Sequence, residues 1–270
     1  MFDELKQCAI DAALLGGKIL KEGFGTNFRI SSKEGKNNLV TEYDNKSEQA
    51  IIELIKSRFP SHRFWAEESG VSGEEFAEIT WVIDPLDGTV NFAHNLPIFS
   101  VSIAAIKGKE ILCGVVYQPI LDELFVAVQG QGASLNGKEI TPSNTSDMSV
   151  SFLVTGFPYN VHENPGYCIN QFVDIIHNGI PIRRLGSAAL DLAYVACGRF
   201  DGFWEINLHP WDVAAGVLLI NEAGGKVTQY NRDDYWLTDN NILTSNGIVH
   251  NQISNSLISC YTEFSQNNEN

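Results

Sequence analysis

Apolar residues recur at helical spacing at Phe2, Leu5, Ala9, Ala12, Leu15, Ile19 and Leu20, a stripe that predicts a first helix ending around Gly23 to Gly25. Residues 31–38 are polar and read as a loop. A second helix is expected after Asp44, with Ala50, Ile51, Leu54 and Ile55 turned inward. The pattern then shortens: Phe64-Trp65-Ala66 and Trp81-Val82-Ile83 read as buried strands, and each run ends in acids. Residues 99–106 and 111–117, joined by Lys107-Gly108-Lys109, predict a β-hairpin that residues 123–128 extend into a meander. Residues 130–137 are rich in turn formers, and 141–149 is the expected boundary between an amino-terminal lobe (1–145) and a carboxy-terminal lobe (146–270). Strands are then expected at 151–155, 182–185, 202–206, 226–229 and 242–244, with helices at 167–177, after Ser187, after Asp212 and at 248–264. A meander followed by alternating strand and helix favours stacked layers over one doubly wound sheet; by itself the pattern predicts a mixed α and β fold.

Composition narrows the partners. With 270 residues, 44% of them hydrophobic, the chain can bury a sizeable core as one large domain or two lobes. A net charge of -15 argues against nucleic acid, whose binding relies on a lysine and arginine footprint. It leaves a phosphorylated substrate open, because bound cations reverse the local sign of a site. Cys8, Cys113, Cys168, Cys197 and Cys260 are odd in number and lack CxxC spacing, which predicts free thiols in a reducing compartment. The amino terminus is acidic and amphipathic, and no apolar stretch is long enough to span a bilayer. The expectation is a cytoplasmic protein without a signal peptide or membrane span.

Candidate chemistry concentrates in Trp81-Val82-Ile83-Asp84-Pro85-Leu86-Asp87-Gly88-Thr89-Val90-Asn91-Phe92. Pro85 cannot continue a strand's ladder, so Asp84 and Asp87 are expected at the strand's end, on a rigid turn that aims both into one space. Gly88-Thr89 then leaves backbone N–H groups at the mouth of a short helix, where an anion is favoured. Carboxylates facing a phosphate repel it unless cations lie between them, so the segment reads as a metal-bridged phosphate site; the bland alternative is a pair of turn-forming aspartates. Glu67 and Glu68 end the earlier apolar run, Glu205 lies in the run around Phe203, Trp204 and Ile206, and Asp212 is placed as the N-cap of a later helix. Read alone, Asp44 caps the second helix. An all-oxygen donor set suits Mg²⁺ better than Zn²⁺.

WVIDPLDGTVNF and WDVAAGVLLINEAGG resemble the two signature motifs of the inositol monophosphatase family of magnesium-dependent, lithium-sensitive phosphatases, and the resemblance runs from Leu39 to Gly225. It implies a five-layer αβαβα sandwich with the site between the lobes, two to three Mg²⁺ ions and a homodimer. It also implies that Glu67, Asp84 and the Leu86 carbonyl hold a first ion, that Asp84, Asp87 and Asp212 hold a second, and that Glu67 shares a weaker third. Thr89 and Asp44 match the family's water-orienting pair and, with Glu67, make the expected catalytic set. Helix starts at Thr89, Ser187 and Asp212 would aim positive potential at phosphate and metals without cationic side chains. Asp87, Gly88, Thr89, Gly186, Ser187, Ala188, Glu205 and Asp212 are the expected substrate contacts, with Glu205 accepting from polyol hydroxyls. Lys33 aligns with a family lysine near the third ion. His94 and His209 are expected to be structural, and Trp81, Phe92 and Trp211 to pack around the site.

The implied activity is hydrolysis of a small polyol phosphate, myo-inositol 1-phosphate first. Fructose 1,6-bisphosphate, histidinol phosphate and 3′-phosphorylated nucleotides are rival substrates on the same fold. A binding or regulatory protein with vestigial catalysis would have lost a metal ligand, and every aligned ligand is present.

Overall fold

A computed structural model describes residues 2–32 and 39–268. Its helices are α1 (Phe2–Gly23), α2 (Glu42–Arg58), α3 (Thr89–Ala93), α4 (Cys168–His177), α5 (Ala188–Ala196), α6 (Pro210–Ala223) and α7 (His250–Asn268). An eight-stranded sheet runs in the order Lys138–Glu139, Ala133–Leu135, Glu123–Val128, Glu110–Gln118, Ser100–Lys107, Thr80–Asp87, Arg63–Ala66, Gly70–Gly73. Its neighbours are antiparallel except Arg63–Ala66 with Thr80–Asp87, which lie parallel. A five-stranded sheet follows in the order Ile182–Arg183, Leu153–Thr155, Gly202–Ile206, Asn241–Ser245, Lys226–Thr228.

Side-chain alternation along the strands divides the core into three slabs. Trp81, Ile83, Val101 and Ile103 point to α1 and α2. Val82, Ala104 and Val116 point the other way, onto α5 and α6, and meet Val154, Phe203 and Ile242 of the smaller sheet across them. The opposite faces of those same strands, through Leu153, Trp204 and Leu243, meet Ile175 of α4 and Ile253 and Leu257 of α7. The architecture is a five-layer αβαβα sandwich. All nine residues of α5 are buried, as a helix clamped between two sheets requires. No helix of the described residues is long and apolar enough to cross a membrane.

Four local expectations are corrected. The strand does not stop before Pro85: it continues to Asp87, with a register shift between the Asp84–Ser102 and Asp87–Ser100 pairs. Proline's missing N–H falls where the ladder slips, and pairing then resumes. Helix α2 starts at Glu42 and α6 at Pro210, so Asp44 and Asp212 stand third in their helices, where an aspartate reaches back to the chain before the first turn. The inward face of α2 is Asp44, Ser47, Glu48, Ile51 and Ile55, whereas Ala50 and Leu54 are half-buried. Finally, Ser31 and Ser32 are not loop: Ile30–Ser32 pairs antiparallel with Leu39–Thr41.

Candidate active site

The acids reach the site from three places in the chain. Asp84 and Asp87 come from the carboxy-terminal end of Thr80–Asp87, a strand buried on both faces, and are 2% and 9% exposed. Glu67 follows the parallel neighbour strand, and its N–H donates to the Ile83 carbonyl at 3.1 Å, next to Asp84. Asp212 stands in the first turn of α6, where it accepts from the His209 N–H at 2.7 Å. Ser102, paired with Asp84 across the sheet, donates its hydroxyl to the Trp211 carbonyl at 3.1 Å and so seats the start of α6 beside that strand.

The electrostatics follow from this crowding. Asp84 is pushed well above the usual carboxylate range by burial and then by Glu67, Asp87 and Asp212. Asp212 is raised by burial, Asp87 and Glu67. Asp87 is pushed up by burial to about 6, although Ser187, Ala189, Ala188 and Ser100 all donate toward it. Its Oδ2 takes the Ser187 hydroxyl at 2.6 Å and the Ala189 N–H at 2.7 Å, so the start of α5 is tied directly to this acid. Among the described residues no three His, Cys, Asp or Glu side chains form a ready-made ion cage. The protein's own donors hold these carboxylates: Asp84 Oδ1 takes the Leu86 N–H at 3.0 Å, as Asp87 and Asp212 take theirs. Four acids brought together, two of them raised by their neighbours' charge, with only oxygen donors beside them, nevertheless fit hard cations.

Thr89 opens α3. Its N-cap, Gly88, holds φ at 100°, and a Cβ there would come within 3.0 Å of the Ile98 carbonyl and 3.2 Å of the Gly186 carbonyl. The Thr89 hydroxyl reaches Asp44 Oδ1 at 2.9 Å and the Leu86 carbonyl at 3.0 Å. Asp44 also takes the Thr41 N–H at 2.7 Å and the Thr41 hydroxyl at 2.6 Å, and burial lifts it to about 6 against these bonds. Asp44 thus secures the start of α2 and touches Thr89. Glu205, 7% exposed on Gly202–Ile206, is pushed to about 8 by burial and by Asp87, with Arg184 opposing. A Cβ on Gly156 would overlap its carboxylate, so only glycine leaves Glu205 its place.

Of the remaining expectations, Gly186 precedes α5 with φ 83° and Ser187 is its N-cap, while Ala188 is its first residue. Phe92 and Trp81 are core residues. His94 is exposed, and His209 stacks on Trp211 at 4.7 Å. Lys33 lies outside the described residues. Sequence reasoning missed Ser47, Glu48 and Asn91. The Asn91 amide donates to the Ile98 and Leu185 carbonyls, both at 2.8 Å, and clasps the loop before α5. For Ser47 and Glu48 the signal was present: polar residues at positions that the apolar stripe of α2 claims.

A buried knot of oxygen acids beside helix starts that favour anions, carried between the two sheets of a five-layer sandwich, has the chemistry of a phosphatase site. Comparison with known proteins agrees. The sequence profile of the inositol monophosphatase family matches residues 1–265, and the chain belongs to that family and is a phosphatase. It is 41% identical over 260 residues to the inositol-1-monophosphatase of Synechocystis sp., covering 96% of this chain and 91% of that one. It is 43% identical over 240 residues to Nus factor SuhB of Escherichia coli K12, covering 88% and 90%. The solved inositol monophosphatase of Anabaena (Nostoc) sp. PCC 7120 superposes with a TM-score of 0.85 at 42% identity, covering 95% of this chain and 96% of that one.

Proposed function

We propose that this phosphatase hydrolyses a small polyol phosphate monoester, myo-inositol 1-phosphate foremost, with two to three Mg²⁺ ions. The observation that carries the reading is the burial of Asp84, Asp87 and Asp212 together, with Asp87 and Glu67 raising both Asp84 and Asp212, next to a Thr89–Asp44 pair. Glu67, Asp84 and the Leu86 carbonyl would hold one ion; Asp84, Asp87 and Asp212 a second; Glu67 would share a third. When bound, Mg²⁺ would offset phosphate charge and lower the pKa of a water beside it.

The chain's own groups do the rest. Because the Thr89 hydroxyl gives its proton to Asp44, its oxygen can accept from a water, and the pair orients that water and receives its proton without a histidine. The N–H groups following Gly88 and Gly186, with Ser187 and Ala188, lie where helix starts favour phosphate. Glu205 accepts from the polyol hydroxyls of the departing alcohol. The five free cysteines suit a reducing, cytoplasmic setting, and the family resemblance favours a homodimer. Light scattering that returned 29.8 kDa, the mass of one chain, would reject the dimer.

A phosphate-release panel with Mg²⁺ tests the substrate. Inositol 1-phosphate should be turned over fastest among inositol phosphates, fructose 1,6-bisphosphate, histidinol phosphate and adenosine 3′,5′-bisphosphate, and millimolar lithium should inhibit. A different leader on the panel replaces the inositol reading with that substrate. Relatives named Nus factor SuhB favour a second reading, a regulatory role on the same fold. A turnover-dead Asp84→Asn chain that rescued a deletion strain would establish that role; failure to rescue would leave the enzyme alone.

A further inference from the structure

The buried face of α2 begins polar and ends apolar. Asp44, Ser47 and Glu48 are 0%, 0% and 4% exposed, and Ile51 and Ile55 continue the same stripe into the core. Each polar residue grips a different site segment. Asp44 takes the Thr89 hydroxyl. The Ser47 hydroxyl donates at 3.0 Å to the Pro85 carbonyl, between Asp84 and Leu86. Glu48 takes two backbone N–H groups at once, Glu68 at 2.8 Å on one oxygen and Ser69 at 2.8 Å on the other. The N–H of Glu67 is meanwhile fixed to Ile83 on the central strand. The Glu67 turn is thus pinned on one side by the sheet and on the other by Glu48.

We infer that Glu48 and Ser47 are positioning residues: together they use one helix face to set the Glu67 carboxylate and the Leu86 carbonyl at the spacing a shared cation needs. The inference rests on the metal reading proposed above. Neither side chain is assigned to substrate or ion. Their action is through backbone, which is why the two-pronged acceptor is a carboxylate: Gln at position 48 keeps one acceptor but turns an NH₂ toward the second N–H.

Glu48→Gln should weaken Mn²⁺ binding, followed by electron paramagnetic resonance titration of the metal-free protein, by about ten- to a hundredfold, the range for residues that orient metal ligands. The Mg²⁺ concentration for half-maximal phosphate release should rise by the same factor, while kcat at saturating Mg²⁺ falls only a few-fold. Ser47→Ala should move both quantities in the same direction, by less, and serves if Glu48→Gln does not fold. A folded variant with a lowered melting point and unchanged Mn²⁺ and Mg²⁺ dependence would make the contacts merely structural and overturn the inference. Wild-type protein that bound no Mn²⁺ would instead overturn the metal reading itself.

Discussion

Asp44 and Asp212 each stand third in a helix and each accept, at 2.7 Å, the N–H of the residue just before it, Thr41 in one case and His209 in the other. Their surroundings differ. Asp44 is met by donors, the Thr41 and Thr89 hydroxyls, and Glu68 is the one acid that raises it. Asp212 is met by acids, with Asp87, Glu67 and Glu205 all raising it. The same capping geometry therefore yields a satisfied carboxylate that can steer a hydroxyl, and a crowded one that calls for a cation. Position in a helix sets where the side chain points; the neighbours decide its chemistry.

The comparison breaks most severely at Asp212. Asp212→Asn should cut Mg²⁺-dependent turnover by at least about a hundredfold, beyond the loss typical of residues that only orient a ligand. It should also raise the melting temperature of EDTA-treated protein, since one like charge is gone. Asp44→Asn should lower turnover without that stabilisation, because its neighbours are donors. Equal melting shifts in the two variants would erase the distinction. Thr89→Ala should reduce kcat by about 10²–10⁴, the range of general acid–base assistance, with KM nearly unchanged. If only KM moved, Thr89 would bind phosphate and orient nothing.

Glu205→Gln should remove about 1–3 kcal/mol of transition-state binding for inositol phosphate, as for a charged hydrogen bond, and less for β-glycerophosphate. An unchanged ratio of kcat/KM for the two substrates would take Glu205 out of substrate selection. The smallest effect is the pH dependence of the metal-free protein. Folding raises Asp44 and Asp87 from 3.8 to about 6 and Glu205 from 4.5 to about 8, so the native state holds more protons than the unfolded chain across this range. Stability should fall as pH rises from about 4 to about 8, and Mg²⁺ should flatten the fall. Calorimetry with and without Mg²⁺ reads both; a rising melting temperature over that window without metal would contradict the assigned shifts.

Much of this was legible in the sequence. Residues 202–206 were read with the boundaries they have, because apolar runs between turn formers leave few alternatives. The acids stood out because each interrupts or ends an apolar run. The starts of α2 and α6 were misplaced by the very acids that matter, since an aspartate third in a helix and one at the N-cap look alike in a sequence. The partners of Ser47, Glu48 and Asn91 stayed hidden for another reason: they are backbone groups 38, 20 and 94 residues away. No local pattern encodes a partner at that distance.

The bonds from Ser187 and Ala189 to Asp87 span 100 and 102 residues. During synthesis the first sheet is complete long before those donors, or Asp212, have emerged. Glu67, Asp84 and Asp87 already crowd one another in the first half of the chain, and Asp212 adds the fourth charge only at the last closure. On the metal reading proposed above, the full ligand set exists only at the end of maturation, where an ion would seal a chain already folded rather than nucleate one that is not.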